Sequence, residues 1–271
     1  MIQNQTCSEK KVLGRTGEKI PSIGFGTYNI KDFVGAERAL LKAIELGAGL
    51  IEVSDLYAYG LAMDLVRRVV SKVKREEVFI VFRANPTLLT DPQSSILKVE
   101  QKLRQMGVTY VDIIMPAGYP EFTSLETLAK VLEAIVDKGL ARYIGLGDFK
   151  LKDIASIMSF LHKYEISMVQ SRYSVLNRRI EKDLIPFTSE NRITILACTA
   201  LERGNVLKHP TILQIAGKYN ATPAQVALSY LASRPNVVAL TKSENIAHVV
   251  EDAEATKICL KEEDLSTLAT L

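Results

Sequence analysis

The sequence predicts a (β/α)8 TIM barrel preceded by a β-hairpin, one domain spanning residues 1–271. Three observations carry that expectation. Short, mainly apolar segments alternate with amphipathic ones about eight times, the pattern of a parallel sheet covered by helices. No stretch is rich enough in Pro, Gly and Ser to link two smaller domains. No glycine-rich phosphate-binding loop follows the first strand, which weighs against the alternative of an open doubly wound sheet.

Taken in order, "KKVLGRTGEKIP" reads as a hairpin turning at Thr16-Gly17, and "SIGFG" as the first barrel strand. The helix "FVGAERALLKAIELGAG" keeps its apolar residues on one face and ends in glycines. The strand "LIEV" follows, then the helix "AMDLVRRVVSKVKREE" and the strand "VFIVF", which stops just before Arg83. The pairs "SSILKVEQKLRQMG" with "VDIIM" and "SLETLAKVLEAIVDKG" with "YIGLG" repeat the unit. "LKDIASIMSFLHKY" leads to "SMVQ", "LIPFTSENR" to "ITILAC", and two helical stretches run to "SYLASRP". Thr222 and Gln225 bracket Pro223 as a capping box with proline at the first helical position. The strand "VVAL" and the helix "NIAHVVEDAEA" complete the series.

Composition narrows the function classes. A 47% hydrophobic chain can bury a large core. A net charge of +3 with no basic stripe argues against nucleic acid as a partner. No apolar run reaches the length of a membrane span, and "MIQNQTCSEKK" lacks the apolar centre of a signal peptide. Cys7, Cys198 and Cys259 are odd in number and without metal-type spacing, so a cytoplasmic, reducing location and no metal are expected. His162, His209 and His248 each fall in or beside a predicted helix, which disfavours a histidine-based metal site or triad.

In a barrel, functional residues stand where strands end. Those positions hold Gly26, Glu52 to Tyr57, Arg83, Met115 to Ala117, Gly147, Asp148, Gln170, Cys198, Thr199 and Thr241 to Ser243. Glu52 and Arg83 end neighbouring strands, either as a charge pair in the mouth or as a structural tie. Tyr57 is a proton donor if a cation stabilises its phenolate, and otherwise a packing hydroxyl. Lys242 and Ser243, with His248 one to two turns further on, suit either a phosphate at a helix start or a solvated cap. Asp112, inside an apolar strand, reads as a buried structural carboxylate.

These stretches together resemble the aldo-keto reductases over essentially the whole chain. "GFGTYN", "IEVSDLYAYG", "VDIIMP", "YIGLGDF", "ACTALERG", "TPAQVALSYL" and "TKSENIAHVVEDA" stand in that family's order and spacing. The resemblance implies a barrel with the hairpin beneath it, a monomer, and NADP(H), with NAD(H) as the alternative, across the mouth. It implies reduction of a small carbonyl substrate, an aldehyde or ketone. Tyr57 falls at the family's proton-donating tyrosine, Glu52 at its aspartate, Arg83 at its lysine, and Ala117, within one residue, at its histidine. Gly26 and Thr27 fall at the ribose, Asp148 and Gln170 at the carboxamide, and Leu201, Gly204 and the loop between them at the pyrophosphate cover, with Thr199 a further cofactor-binding candidate. Lys242, Ser243 and His248 fall at the 2'-phosphate, and Glu251 and Asp252 at the adenine.

Gly147 replaces a serine of the carboxamide site, and Cys198 replaces the aromatic residue under the nicotinamide, so no ring face is offered there. Glutamate adds a methylene, and arginine replaces a compact ammonium by a rigid fork. Charge balance is kept while placement changes, and about 1 Å of misplacement is worth on the order of a hundredfold in rate. Tyr119 is a candidate to fill the gap at Ala117. Two further readings stay open. One is a catalytically inactive nucleotide-binding or regulatory protein on the same barrel. The other is a different small-molecule enzyme binding a polar ligand through Glu52, Asp55, Arg83 and Asp148.

Overall fold

Strands β1 (Lys10–Val12) and β2 (Lys19–Pro21) pair antiparallel, and the Leu13 N–H donates to the Glu18 carbonyl to close the hairpin. The computed structural model describes residues 9–121 and 123–271, so Cys7 lies outside the described residues. After the hairpin come β3 (Ile23–Gly26), β4 (Leu50–Ser54), β5 (Phe79–Ala84), β6 (Val111–Pro116), β7 (Ala141–Gly147), β8 (Ile166–Arg172), β9 (Thr194–Cys198) and β10 (Val237–Thr241). All are parallel, and β10 returns to pair with β3, so the sheet closes into a barrel. The expected fold class is the observed one.

The surrounding helices are α1 (Phe33–Glu45), α2 (Leu61–Val70), α3 (Pro92–Met106), α4 (Leu125–Asp137), α5 (Leu151–Phe160), α6 (Leu184–Glu190), α7 (Pro210–Lys218), α8 (Pro223–Ala232), α9 (Ile246–Glu254) and α10 (Glu262–Leu268). Capping chemistry sets their starts. Asp32, Asp91, Ser124 and Asn245 accept first-turn N–H groups, and Thr222 and Gln225 form the expected capping box.

Two elements differ from the sequence reading. Helix α2 stops at Val70, and Arg75–Glu77 forms a separate short turn fixed by the Lys74 N–H on Glu77 Oε2. The break frees Arg75 to reach Asp112 at 2.7 Å. Helix α10 was not foreseen. Its Asp264 accepts from Lys218 Nζ at 2.6 Å and the Tyr219 hydroxyl at 2.7 Å, which docks the segment on α7.

Inside the barrel, Leu13 and Ile20 from the hairpin pack with Leu50, Phe79, Val81, Ile113, Met168 and Val238 and plug the N-terminal end. Each such side chain contributes roughly 1.5–3 kcal/mol by leaving water. The rim at that end is polar and densely paired, though Arg75 Nε is left without a hydrogen-bond partner. Asp112 accepts from Arg75, from the Ile80 N–H at 2.7 Å and from Arg142 at 2.9 Å, and Arg142 also reaches Glu18 of the hairpin at 2.7 Å. That is the structural carboxylate the sequence suggested. Among the described residues no helix is long and apolar enough to cross a membrane.

Candidate active site

The opposite end of the barrel holds the chemistry-bearing residues. Where β4 ends, Ser54 Oγ accepts the Leu56 N–H at 3.2 Å, and Asp55 Oδ1 accepts the Asn85 N–H at 2.8 Å, tying the turn to the loop after β5. Burial raises the pKa of Asp55 above the ordinary aspartate value. Tyr57 is set by this turn. Ala58, Tyr59 and Gly60 follow with φ of 47°, 55° and 93°, a left-handed run that swings the chain into α2.

The Tyr57 hydroxyl donates to Glu52 Oε1 at 2.8 Å and accepts from Arg83 Nη1 at 3.1 Å. Arg83 Nη1 also lies 3.9 Å from Glu52 Oε1, and its Nη2 donates to Asp148 Oδ2 at 2.7 Å. Glu52, Tyr57 and Arg83 therefore converge. Glu52 is 1% exposed, and Gly26 makes room for it, since a Cβ there would stand 3.2 Å from Glu52 Oε2. The Tyr28 ring meets that of Tyr57 edge-on, with centroids 5.2 Å apart.

Burial dominates the proton affinities. It pushes the Glu52 carboxyl up despite the Arg83 charge. It pushes the Tyr57 phenol up as well, and Glu52 adds to the shift more than Arg83 relieves it. The Cys198 thiol is raised to about 11, by burial first and the Asp148 charge second.

A cavity of about 800 Å³ runs from this cluster along the mouth. Of the residues expected at the site, Gly26, Glu52, Tyr57, Arg83, Gln170, Cys198, Thr199, Leu201, Gly204 and Lys242 line it together. Thr27 is buried just behind, its hydroxyl on the Glu52 carbonyl. Half-buried Ser243 and exposed His248 stand near Lys242, with Ser243 Oγ 3.5 Å from His248 Nδ1 at the start of α9.

Three residues stand differently. Asp148 bonds Arg83 at the rim. Asp252 is buried and accepts from Thr241 at 2.9 Å, so it faces the barrel and is not presented to a ligand. Glu251 is engaged by the Thr222 hydroxyl. Tyr119, at Ala117's end of the mouth, lies with its ring 6.2 Å from Phe149.

Two buried atoms of the residues lining the cavity, Arg83 Nε and Gln170 Oε1, have no hydrogen-bond partner, and a buried polar atom left unpaired costs about 1–3 kcal/mol. Gln170 Oε1 is an acceptor suited to an amide N–H. Further along the cavity, Thr199, Glu202, Arg203 and Gly204 all have positive φ, a strained loop of the kind found at functional sites. Buried Glu202 anchors it by accepting from Arg172 and from Ser174 Oγ. Arg203, in the loop between Leu201 and Gly204, lines the cavity with them, and sequence reasoning missed Leu207 and Tyr28 as lining residues.

A plugged parallel barrel with a tyrosine hydroxyl set between a carboxylate and a guanidinium, at one end of a long polar cavity, has the architecture of a barrel oxidoreductase. Residues 22–271 match the model of the aldo/keto reductase family, and the chain belongs to that family. It is 27% identical over 270 residues to a methylglyoxal reductase (YeaE) of Escherichia coli, covering 96% of this chain and 94% of that protein. Among solved structures, a thermostable aldo-keto reductase (Tm1743) bound to the inhibitor epalrestat superposes with a TM-score of 0.90 at 29% identity, covering 96% and 98% of the two chains. An aldo/keto reductase from Klebsiella pneumoniae, solved with NADP and acetate, shares the fold with a TM-score of 0.90 at 24% identity, over 97% and 95%.

Proposed function

We propose that this protein is an NADP(H)-dependent reductase of a small aldehyde or ketone, with Tyr57 as the proton donor. The observation that carries this reading is the hydrogen-bonded line Asp148–Arg83–Tyr57–Glu52 beside a cavity that also contains the unpartnered Gln170 Oε1. Gln170 would hold the carboxamide of the cofactor. Leu201, Arg203 and Gly204 would lie along its pyrophosphate, and Lys242, Ser243 and His248 would meet the 2'-phosphate at the α9 N-terminus. NAD(H), lacking that phosphate, is the weaker ligand on this reading.

When bound, the nicotinamide supplies a hydride; the chain's own residues handle the proton. Tyr57 donates its hydroxyl hydrogen to the carbonyl oxygen, and Arg83 beside it stabilises the phenolate that results. In the structure that hydrogen faces Glu52. A protonated Glu52, favoured by its burial, donates to the phenol instead and frees the Tyr57 hydrogen to turn into the cavity. Ala117 offers no donor, so on the protein side the carbonyl oxygen is met from Tyr57.

The test is a calorimetric titration with NADPH and then NADH, followed by turnover with methylglyoxal and a panel of aldehydes and ketones. Preferential NADPH binding with turnover supports the proposal. A second reading, a catalytically inactive nucleotide-binding or regulatory protein, is favoured by the commitment of the Tyr57 hydrogen to Glu52. Tight binding without turnover on the whole panel would select it. Absence of binding by either cofactor removes both.

A further inference from the structure

We propose that Gly147, Asp148 and Arg83 form one positioning unit for the Tyr57 hydroxyl, in which Asp148 acts through Arg83 and does not hold the cofactor. This rests on the reductase reading and assigns Asp148 a different task from the carboxamide contact implied by resemblance.

The geometry is that of a planar fork fixed at two points. Arg83 Nη2 is held by Asp148 Oδ2 at 2.7 Å while Nη1 reaches the Tyr57 hydroxyl at 3.1 Å, so the first contact sets the plane in which the second is made. Asp148 also competes with Glu52. The buried Glu52 carboxylate lies 3.9 Å from Nη1, and with Asp148 gone the guanidinium is free to turn fully onto it and leave the phenol. The Arg83 side chain is only 14% exposed, while Asp148 meets it from the rim with its own side chain 50% exposed.

The surrounding backbone is shaped for this reach. In strand order β6 lies between β5 and β7, so the Arg83 side chain passes the end of β6 to meet the residue after β7. Ala117 and Gly118, with little or no side chain, follow β6 there. A Cβ at Gly147 would stand 3.3 Å from Arg83 Nε and 2.9 Å from the Pro116 carbonyl oxygen, so position 147 has no room for a side chain. Asp148 adopts φ of 59°, a left-handed conformation that aspartate tolerates, and its N–H is pinned to the Gln170 carbonyl at 3.0 Å. The residues at positions 83, 117, 147 and 148 thus belong to one arrangement.

The experiment is a double-substitution cycle with Asp148→Asn and Arg83→Lys, with Asp148→Glu as the conservative control. With Arg83 in place, D148N should lower kcat on the order of tenfold or more and leave the NADPH Kd within about threefold, and D148E should restore part of the loss. In the Arg83→Lys background D148N should change kcat less than about twofold, because an ammonium cannot hold both partners as a fork. A rise in NADPH Kd of equal size in both backgrounds would return Asp148 to the cofactor and overturn the proposal. A lowered urea midpoint, with kcat and its pH profile unchanged, would reduce the contact to a structural one and overturn it too.

Failure of the reductase reading is seen separately, as a wild-type protein that binds no nicotinamide cofactor. The unit is then read from the Tyr57 resonance in protein carrying carbon-13 at the tyrosine Cζ. D148N must move that resonance when Arg83 is present and not in the Arg83→Lys background; an unmoved resonance sinks the proposal.

Discussion

The Tyr57 hydroxyl stands 2.8 Å from Oε1 of Glu52, a carboxylate sealed from solvent, and this contact decides which way the phenol hydrogen faces. Carbonyl reduction that needs this hydrogen turned toward the cavity depends on Glu52 being protonated. Burial raises the Glu52 pKa, which extends the protonated form to higher pH. The rate of reduction should therefore fall as pH rises through that pKa. Glu52→Gln, which donates to the phenol at every pH, should flatten that limb in a pH–kcat profile.

Tyr57→Phe removes the donor and leaves the ring. Reduction should drop by roughly 10²–10⁴-fold, the scale of general acid catalysis, while NADPH binding by calorimetry stays within about threefold. A Tyr57→Phe variant that keeps more than half the wild-type rate would exclude Tyr57 as the acid.

At the far end of the cavity, Lys242 lies 3.5 Å from Glu244 and is otherwise free to meet a phosphate. Lys242→Ala should weaken NADPH about tenfold and NADH less than twofold, since one charge-assisted contact is worth about 1.5–3 kcal/mol. Equal losses for both cofactors would place the 2'-phosphate elsewhere.

Asp252 carries a pH signature of stability. Burial behind Thr241 raises its pKa from 3.8 to about 7. Between those values the folded state keeps a proton that the unfolded state has released. The contribution of Asp252 is therefore greatest below pH 3.8 and is lost as pH rises to about 7, on the order of a few kcal/mol. Urea denaturation of Asp252→Asn across this window should lack that decline.

Asp112 makes the opposite kind of test, at the end of the barrel remote from the cavity. Removing it takes the only carboxylate from Arg75, which keeps just the Val78 and Tyr110 carbonyls, takes the acceptor from the Ile80 N–H, and leaves Arg142 with Glu18 and the Tyr143 hydroxyl. Asp112→Ala should cost about 3–5 kcal/mol in denaturant unfolding, with NADPH affinity unchanged at a temperature where the variant is folded.

The barrel was legible because its strands are short apolar runs, and the residues that end them mark the mouth whatever their neighbours do. Glu52, Tyr57, Arg83 and Gln170 were found in that way. The Glu52–Arg83 pairing could be read from neighbouring strand ends; the Arg83–Asp148 contact, between residues 65 apart, could not, because a side chain that crosses an intervening strand leaves no trace in spacing. The burial of Asp252 was not foreseen for a related reason. Its helix could be recognised, but which face of α9 turns toward β10 depends on packing. Helix α10 was hidden by its charged opening, "KEEDLSTL", whose docking relies on two polar contacts more than on an apolar stripe.

The hairpin that stoppers the barrel with Leu13 and Ile20 closes one of its two doors. Whatever enters the cavity beside Tyr57 comes and goes through the other, so anything that covers the mouth shuts the site altogether.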